Sequence, residues 1–348
     1  MYPKISIVVP CYNVEKYIDQ CLSNLLNQTL KEIEIIVIND GSTDNTLQIL
    51  EKYAASDNRI RIVNQKNHGL SEARNVGMQD CTADYVMFVD GDDWIDPVCC
   101  EQALLAMERE GADLVMWSYM REFDSYSLRK KIFDYDDYKI FNEKECAELQ
   151  RRMAGLYKDE LSNIENADSL VTAWGKLYKK EFIRDTLFVD TKLIGTEDAL
   201  FNLNVLFKVK KAVYLSEFLS HYRKTSTSSL TKSYKKDLSK QWSILFSLMK
   251  KCLDDKNCDS SFYIALKNRI ALSIIGLGLN ESANPAGHLV RIKSLSAILS
   301  QPEYRDAYNC LEFKYLKLHW AFFFHLAKWR CSLGVYCLIL IIRKIISR

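Results

Sequence analysis

Tyr85-Val86-Met87-Phe88-Val89-Asp90-Gly91-Asp92-Asp93-Trp94 joins an apolar run to three carboxylates within four residues. Residues 85–89 do not alternate with polar ones, as expected of a parallel strand covered on both faces. Carboxylates this close repel one another, so the cluster is costly unless a cation neutralises it. Hard oxygen ligands suit Mg²⁺ or Mn²⁺, which would also hold a substrate diphosphate. A solvated acidic turn has the same composition. What tells against it is the position, directly after a buried strand in a series of similar units.

That series fills the first 120 residues. Residues 5–9 and 33–38 are apolar, β-branched runs, and shorter ones occupy 60–63 and 114–117. Between them, apolar residues recur at helical spacing over 14–28, 71–78 and 97–110, and a further helix capped by Ser42 or Thr43 runs to residue 53. Strand–helix alternation with tight turns predicts an α/β fold with a mostly parallel sheet and helices on both faces. Ligands bind outside the carboxyl ends of such strands, which is where residues 10–13, 39–42 and 90–93 fall. A polar excursion covers 121–160, with a helix from about 143. Compact structure resumes over 172–182, 197–209 and 212–215. From about residue 231 the pattern is almost wholly helical, so two domains are expected, 1–229 and 230–348.

The 348 residues are 48% hydrophobic and 26% charged, with a net charge of +2. This is ordinary globular composition, and the charge carries no footprint of a nucleic-acid partner. Eleven cysteines are scattered without a Cys-x-x-Cys pair, which predicts reduced thiols and no cysteine zinc site. The chain opens Met-Tyr-Pro-Lys and enters a strand without a signal-peptide pattern. The expected location is the cytoplasm.

Two further segments add chemistry. Val9-Pro10-Cys11-Tyr12-Asn13 follows the first strand, and Tyr12 can stack on a base whose edge meets the backbone at Pro10. Asp40, after the second strand, can accept from a ring N–H such as that of uracil. Each alone is equally compatible with packing or with a turn; at neighbouring strand ends they favour a nucleotide pocket. In Gly69-Leu70-Ser71-Glu72-Ala73-Arg74-Asn75, Arg74 lies in the first turns of a helix whose N-terminus attracts phosphate. A surface ion pair is the competing role for it.

Taken in order, these segments resemble family 2 glycosyltransferases of the GT-A fold. The likeness extends to Trp174-Gly175-Lys176-Leu177-Tyr178, Gly195-Thr196-Glu197-Asp198-Ala199-Leu200-Phe201 and His221-Tyr222-Arg223, so it spans roughly residues 4–229. It implies a GT-A sheet followed by a helical C-terminal region, and a hexosyltransferase using a UDP-sugar donor and Mn²⁺ or Mg²⁺. Pro10, Tyr12 and Asp40 would hold the uracil, and Arg74 the phosphate region. Asp90 would touch the ribose or the metal's water shell, Asp92 would ligate the metal, and Asp93 would contact the donor sugar. Asp198 would be the general base of an inverting reaction. Arg223 would add a phosphate contact when residues 225–231 close over the donor, although a linker explains that Ser/Thr-rich composition equally well. Two departures stand out: Thr196 where the family usually has Gly, and Gly175 where many relatives carry Asn.

Residues 313–348 contain seven Lys or Arg and no Asp or Glu, together with Trp320, Phe322, Phe323, Phe324 and Trp329. The longest uncharged apolar segment there, 331–342, is 12 residues, against the ~20 that a spanning helix needs. Peripheral contact with an anionic membrane is expected, against a core-packed helix with a solvated basic face. A lipid-linked saccharide acceptor at the cytoplasmic face of the inner membrane follows. Processive synthases of the family carry Gln-x-x-Arg-Trp and several membrane spans, neither of which is present, so one sugar is expected per acceptor. A sugar nucleotidyltransferase would place a Gly-rich basic loop where residues 10–13 stand. A non-catalytic nucleotide- or glycan-binding subunit would have no need of both Asp92 and Asp198.

Overall fold

The computed structural model describes residues 2–224 and 234–346. The chain divides into two compact units. The first comprises Met1–Leu149, Val171–Thr191 and Glu197–Ser228; the second comprises Gln150–Leu170, Lys192–Thr196 and Ser229–Arg348. Two short stretches from before residue 200 thus belong to the later unit, which a single cut near 230 does not anticipate. That cut, and the segment 225–231 expected to close over the donor, lie outside the described residues.

The first unit is built on strands β1 (Ile5–Cys11), β2 (Ile33–Asp40), β3 (Ile60–Gln65), β4 (Tyr85–Phe88), β5 (Trp94–Ile95), β6 (Leu114–Glu122), β7 (Ser127–Lys130), β8 (Lys139–Phe141), β9 (Lys176–Lys179) and β10 (Ala212–Arg223). They form one sheet in the order β3-β2-β1-β4-β9-β6-β10-β5, with β7 beside β6 and β8 beside β10. Strands β1 to β4 pair in parallel, as do β6 and β10, while β9 runs antiparallel between β4 and β6. The sheet is therefore mixed.

The helices in chain order are α1 (Ile18–Leu26), α2 (Thr46–Ser56), α3 (Leu70–Asp80), α4 (Cys99–Glu110), α5 (Glu143–Ala154), α6 (Lys180–Ile183), α7 (Thr191–Ile194) and α8 (Asp198–Leu206), then α9 (Leu238–Asp255), α10 (Ser260–Ser282), α11 (His288–Ser300), α12 (Pro302–Cys310), α13 (Leu318–Lys328) and α14 (Ser332–Ile346). The last six make up most of the second unit. Helix α2 starts later than its sequence suggests. The Thr43 N–H is given to Asn13 Oδ1, and Asp44 Oδ1 instead accepts from the Thr46 N–H. One described helix, α10, is long and apolar enough to cross a membrane, but more than half of its apolar window is buried in the protein.

Successive side chains of a strand point to opposite faces, and β1 shows both. Ile5, Ile7, Val9 and Cys11 pack into a core with Ile18, Cys21 and Leu22 of α1 and with Cys100 and Ala103 of α4. Val8 faces the other way, toward α3. A Cβ added at Gly77 of α3 would lie 2.3 Å from Val8 Cγ1, so glycine sets how closely the helix approaches the sheet. Gly77→Ala is expected to cost about 1–3 kcal/mol through overpacking, read as a lowered Tm. Unchanged stability would show that α3 can retreat freely. The point bears on function because Arg74 lies one turn away on the same helix.

Candidate active site

The carboxyl ends of the first strands are fastened together by their loops. Ser42 Oγ accepts from the Asn13 N–H at 3.1 Å, Thr46 Oγ1 from the Val14 N–H at 2.9 Å, and Asp44 Oδ2 from the Glu15 N–H at 3.1 Å. Gly41 has φ +70°, and a Cβ there would sit 2.7 Å from the Asn67 nitrogen. The left-handed backbone and the close approach both call for glycine. The result is a hydrogen-bonded rim from which Tyr12 projects, about half exposed, and in which Pro10 is buried.

Asp40 is nearly buried at this rim, and its carboxylate is already engaged. Oδ1 accepts from Gln65 Nε2 at 2.7 Å and from the His68 N–H at 2.9 Å, and Oδ2 accepts from the Gly69 N–H at 2.8 Å. The expected contact to a base edge would have to share these oxygens. What Asp40 does in this structure is hold the loop leading into α3. Beside that loop lies a hollow of about 280 Å³ lined by His68, Ser71, Glu72, Phe188 and Asp190, which the sequence did not point to.

Arg74 differs most from expectation. Its side chain is 1% exposed, so it is not a surface group waiting for phosphate. Nη2 donates to Asp90 Oδ1 at 2.8 Å, while Nη1 donates to Glu197 Oε1 at 2.7 Å and to Asp198 Oδ1 at 2.8 Å. Three carboxylates thus converge on one guanidinium, which also lies over the Phe188 ring at 5.3 Å. Phe188 stacks on Phe201 at 3.8 Å between centroids, and Phe88 meets both edge-on. The floor of the cluster is apolar, and there paired charges interact strongly while desolvation is expensive. Burial opposes the Arg74 charge, but Asp90, Asp198 and Glu197 outweigh it and hold the guanidinium protonated. Burial, with Asp198 beside it, pushes the Glu197 carboxyl up to about 7. Burial likewise raises Asp198, against the pull of Arg74.

Asp198 is the first residue of α8. Its second oxygen, Oδ2, accepts from the Ala173 N–H at 3.1 Å. Several side chains set the loop that presents this donor. Asn202 Nδ2 donates to the carbonyls of Val171 and Thr172, Tyr178 Oη donates to that of Ala173, and Lys176 Nζ donates to that of Thr172. Lys176 is buried, and burial pushes its ammonium down to about 7 although Asp198 opposes the shift. A lysine in the short strand β9 was the available signal for this support, and nothing local says what it supports. Gly175 has φ +72°, a conformation that Asn tolerates better than most residues. The Gly/Asn exchange at that position therefore has a backbone reason.

The acidic turn after β4 closes the site. Asp93 Oδ1 accepts from the Arg223 N–H at 2.8 Å, Arg223 Nε donates to the Asp92 carbonyl at 2.9 Å, and its Nη2 donates to Gln20 Oε1 at 2.5 Å. The guanidinium lies 4.7 Å from the Trp94 ring centre and 4.9 Å from that of Tyr17. Arg223 is thus tied to the turn as the structure stands. Trp94 stacks on His221 at 4.9 Å, and both join Trp174 and Tyr222 in an aromatic lining behind Asp90 and Asp93.

The Asp92 carboxylate has no ion pair and no side-chain hydrogen bond among the described residues. Burial and the neighbouring Asp90 charge push it up to about 6, and burial raises Asp93 as well. A desolvated carboxylate that no protein cation contacts directly, with only the nearby Arg223 charge opposing the rise, fits a divalent metal. No cluster of three or more His, Cys, Asp or Glu ligands is preformed among the described residues. That suits an ion held by one or two carboxylates and completed by substrate phosphates.

Known proteins resemble the chain in sequence and in fold. The family model described as glycosyl transferase family 2 matches residues 6–185. The chain is 29% identical over 310 residues to the putative glycosyltransferase EpsH of Bacillus subtilis strain 168, covering 88% of this chain and 86% of that protein. It is 30% identical over 332 residues to the uncharacterized glycosyltransferase EpsJ of the same strain, covering 91% and 90%. Among solved structures, S. aureus TarS 1–349 in complex with UDP-GlcNAc superposes with a TM-score of 0.69 at 19% identity, over 98% of this chain and 92% of that one. That likeness shows the GT-A fold. The chain belongs to glycosyltransferase family 2, and it is a glycosyltransferase enzyme.

Proposed function

We propose that the chain transfers one sugar from a UDP-sugar to a hydroxyl of a lipid-linked saccharide, with inversion at the sugar's anomeric carbon. The observation that carries this reading is the placement of Asp198. It is held from two directions, by Arg74 Nη1 and the Ala173 N–H, and Arg74 links it to Asp90 at the head of the acidic turn. The acceptor oxygen bonds to C1 of the sugar as the bond from C1 to the diphosphate oxygen breaks, and UDP departs. Asp198 takes the acceptor's proton. Tyr12 gives the base a ring to stack on, and Pro10 and the Asp40-fixed loop wall the pocket.

Asp92, with Asp90 beside it, would hold Mn²⁺ or Mg²⁺, which when bound supplies positive charge to the leaving diphosphate. Arg223, on the far side of the turn, is in place to exchange Gln20 for a phosphate oxygen, and Asp93 borders the sugar. Arg74 is read as an organiser of the carboxylates instead of a phosphate ligand. The choice of UDP is supported by the UDP-GlcNAc complex of the TarS fold relative. The acid-free C-terminal stretch supports an acceptor at the cytoplasmic face of the inner membrane.

Calorimetry with UDP, with and without Mn²⁺, tests the donor site. Binding is expected to depend on metal and to weaken at least about tenfold in Asp92→Ala, a loss of ~1.4 kcal/mol. Binding that ignores both Mn²⁺ and Asp92 would remove the basis of the donor assignment.

A further inference from the structure

We infer that the outward faces of α13 and α14 form a docking surface for an anionic lipid bilayer. Helix α14 packs inward through Val335, Tyr336 and Ile339; Ile339 closes on Gly278 of α10, and Tyr336 Oη meets His288 Nδ1 of α11 at 2.7 Å. A helix packed on one side of a water-soluble unit presents polar residues on the other. Here the other side carries Leu333, Cys337, Ile341 and Ile345, four residues apart in turn and all exposed, with Ile345 at 67%. Helix α13 repeats the pattern. Phe323, Phe324 and Ala327 are buried, while Leu318, Phe322 and the adjoining Trp329 are exposed, Leu318 at 87%. The two helices touch where Leu326 meets Gly334.

Charge selects the occupant. Lys328, Arg330 and Lys344 accompany these apolar stripes, Arg343 turns inward to the Ser282 carbonyl of α10 at 2.7 Å, and no acidic residue occurs from 313 to 348. A second copy of the same face would bring like charges together, so self-association is disfavoured. An anionic surface is favoured, at a gain of about fivefold in affinity per basic residue near it. Length points to lipid as well. From Leu333 to Ile345 the helix rises roughly 18 Å at 1.5 Å per residue, short of the ~30 Å hydrocarbon core, so α14 suits lying in the interface. Trp329 is the residue type enriched at that depth. Resting on the proposed function, this surface would bring the chain to the membrane where the proposed acceptor resides.

Co-sedimentation of the full chain with phosphatidylglycerol/phosphatidylcholine vesicles, against pure phosphatidylcholine, is the test. Partitioning to the anionic vesicles is expected. It should drop about 30-fold in Lys328→Gln/Arg330→Gln and disappear in Phe322→Ser/Trp329→Ser/Ile341→Ser. All these positions are exposed, and far-UV circular dichroism with the helical melting transition reports that each variant is folded. UDP binding, measured separately, decides the donor reading, and failure of the folded chain to bind anionic vesicles would overturn the docking surface. So would vesicle binding that the substitutions do not change, or a dimer in ultracentrifugation that the apolar triple variant abolishes in the absence of any vesicle binding.

Discussion

Asp198→Asn is expected to lower kcat for sugar transfer by about 10²–10⁴-fold, the usual worth of a general base, while leaving UDP binding unchanged. Asparagine keeps the size of the side chain, and its carbonyl oxygen can still accept from Arg74 Nη1. What it loses is the capacity to take a proton from the acceptor hydroxyl, together with the Ala173 N–H bond, because the amide nitrogen cannot accept it. The wild-type pH profile carries a second mark of the same group. Burial raises Asp198, and raises Glu197 beside it to about 7. The two carboxyls share Arg74 and titrate as a pair, so kcat should fall with acidification well above the ordinary aspartate value of about 3.9. Stability responds in the opposite sense. A carboxyl whose pKa is higher in the folded chain than in the unfolded one favours folding below its unfolded value, and that contribution is lost as pH rises through the folded value. Mild acid should therefore remove activity without removing these groups' share of stability. Full transfer activity in Asp198→Asn would exclude Asp198 as the base, and a kcat that falls only at the ordinary aspartate value would contradict the raised carboxyl pair.

The parts of this site that could be read in the sequence are the local ones. Strands β1, β2, β4 and β6 announce themselves because a strand covered on both faces has no polar side to show. The polar residues that follow them then fall at one edge of the sheet by the geometry of βαβ units. Strand β9 has only four residues, two of them lysines. Its antiparallel place between β4 and β6 depends on partners about 60 and 90 positions away, which local periodicity does not encode. Arg74 shows the same limit more sharply. Its helix and its neighbourhood were legible, but Glu197 and Asp198 stand 123 and 124 residues further along. Only the closed sheet brings them to it, and so the residue expected at the phosphate region is buried against three carboxylates in this structure. Asp40 was placed at the right edge with its hydrogen bonds unforeseen, since the His68 and Gly69 N–H groups that occupy it come from the next loop. Glu197 precedes α8, where a helix dipole favours an acidic residue, so its type alone is accounted for without the ion cluster.

Arg74→Met should therefore act first on stability, costing about 3–5 kcal/mol, the range seen when one partner of a buried ionic group is removed. Methionine fills much of the space of the arginine stem and leaves the Phe188 contact largely in place. It also strands three carboxylates over an apolar floor with no cation among them. For a unit of about 200 residues that loss lowers Tm by on the order of 10 °C. The penalty should shrink as pH falls from 8 to 6, because Glu197, already near 7 with Arg74 present, rises further without it, and a protonated carboxyl no longer needs the missing charge. Arg74→Met/Glu197→Gln should recover part of the loss for the same reason, by removing one of the stranded charges. Arg74→Lys should fall between, since an ammonium keeps the charge but lacks the fork that reaches Asp90 on one side and the Glu197–Asp198 pair on the other. If Arg74→Met unfolds within 1 kcal/mol of the wild type in urea at pH 8, the guanidinium is not what neutralises this cluster. The carboxyls would then have to be protonated in the native protein, and Asp198 could not serve as the base.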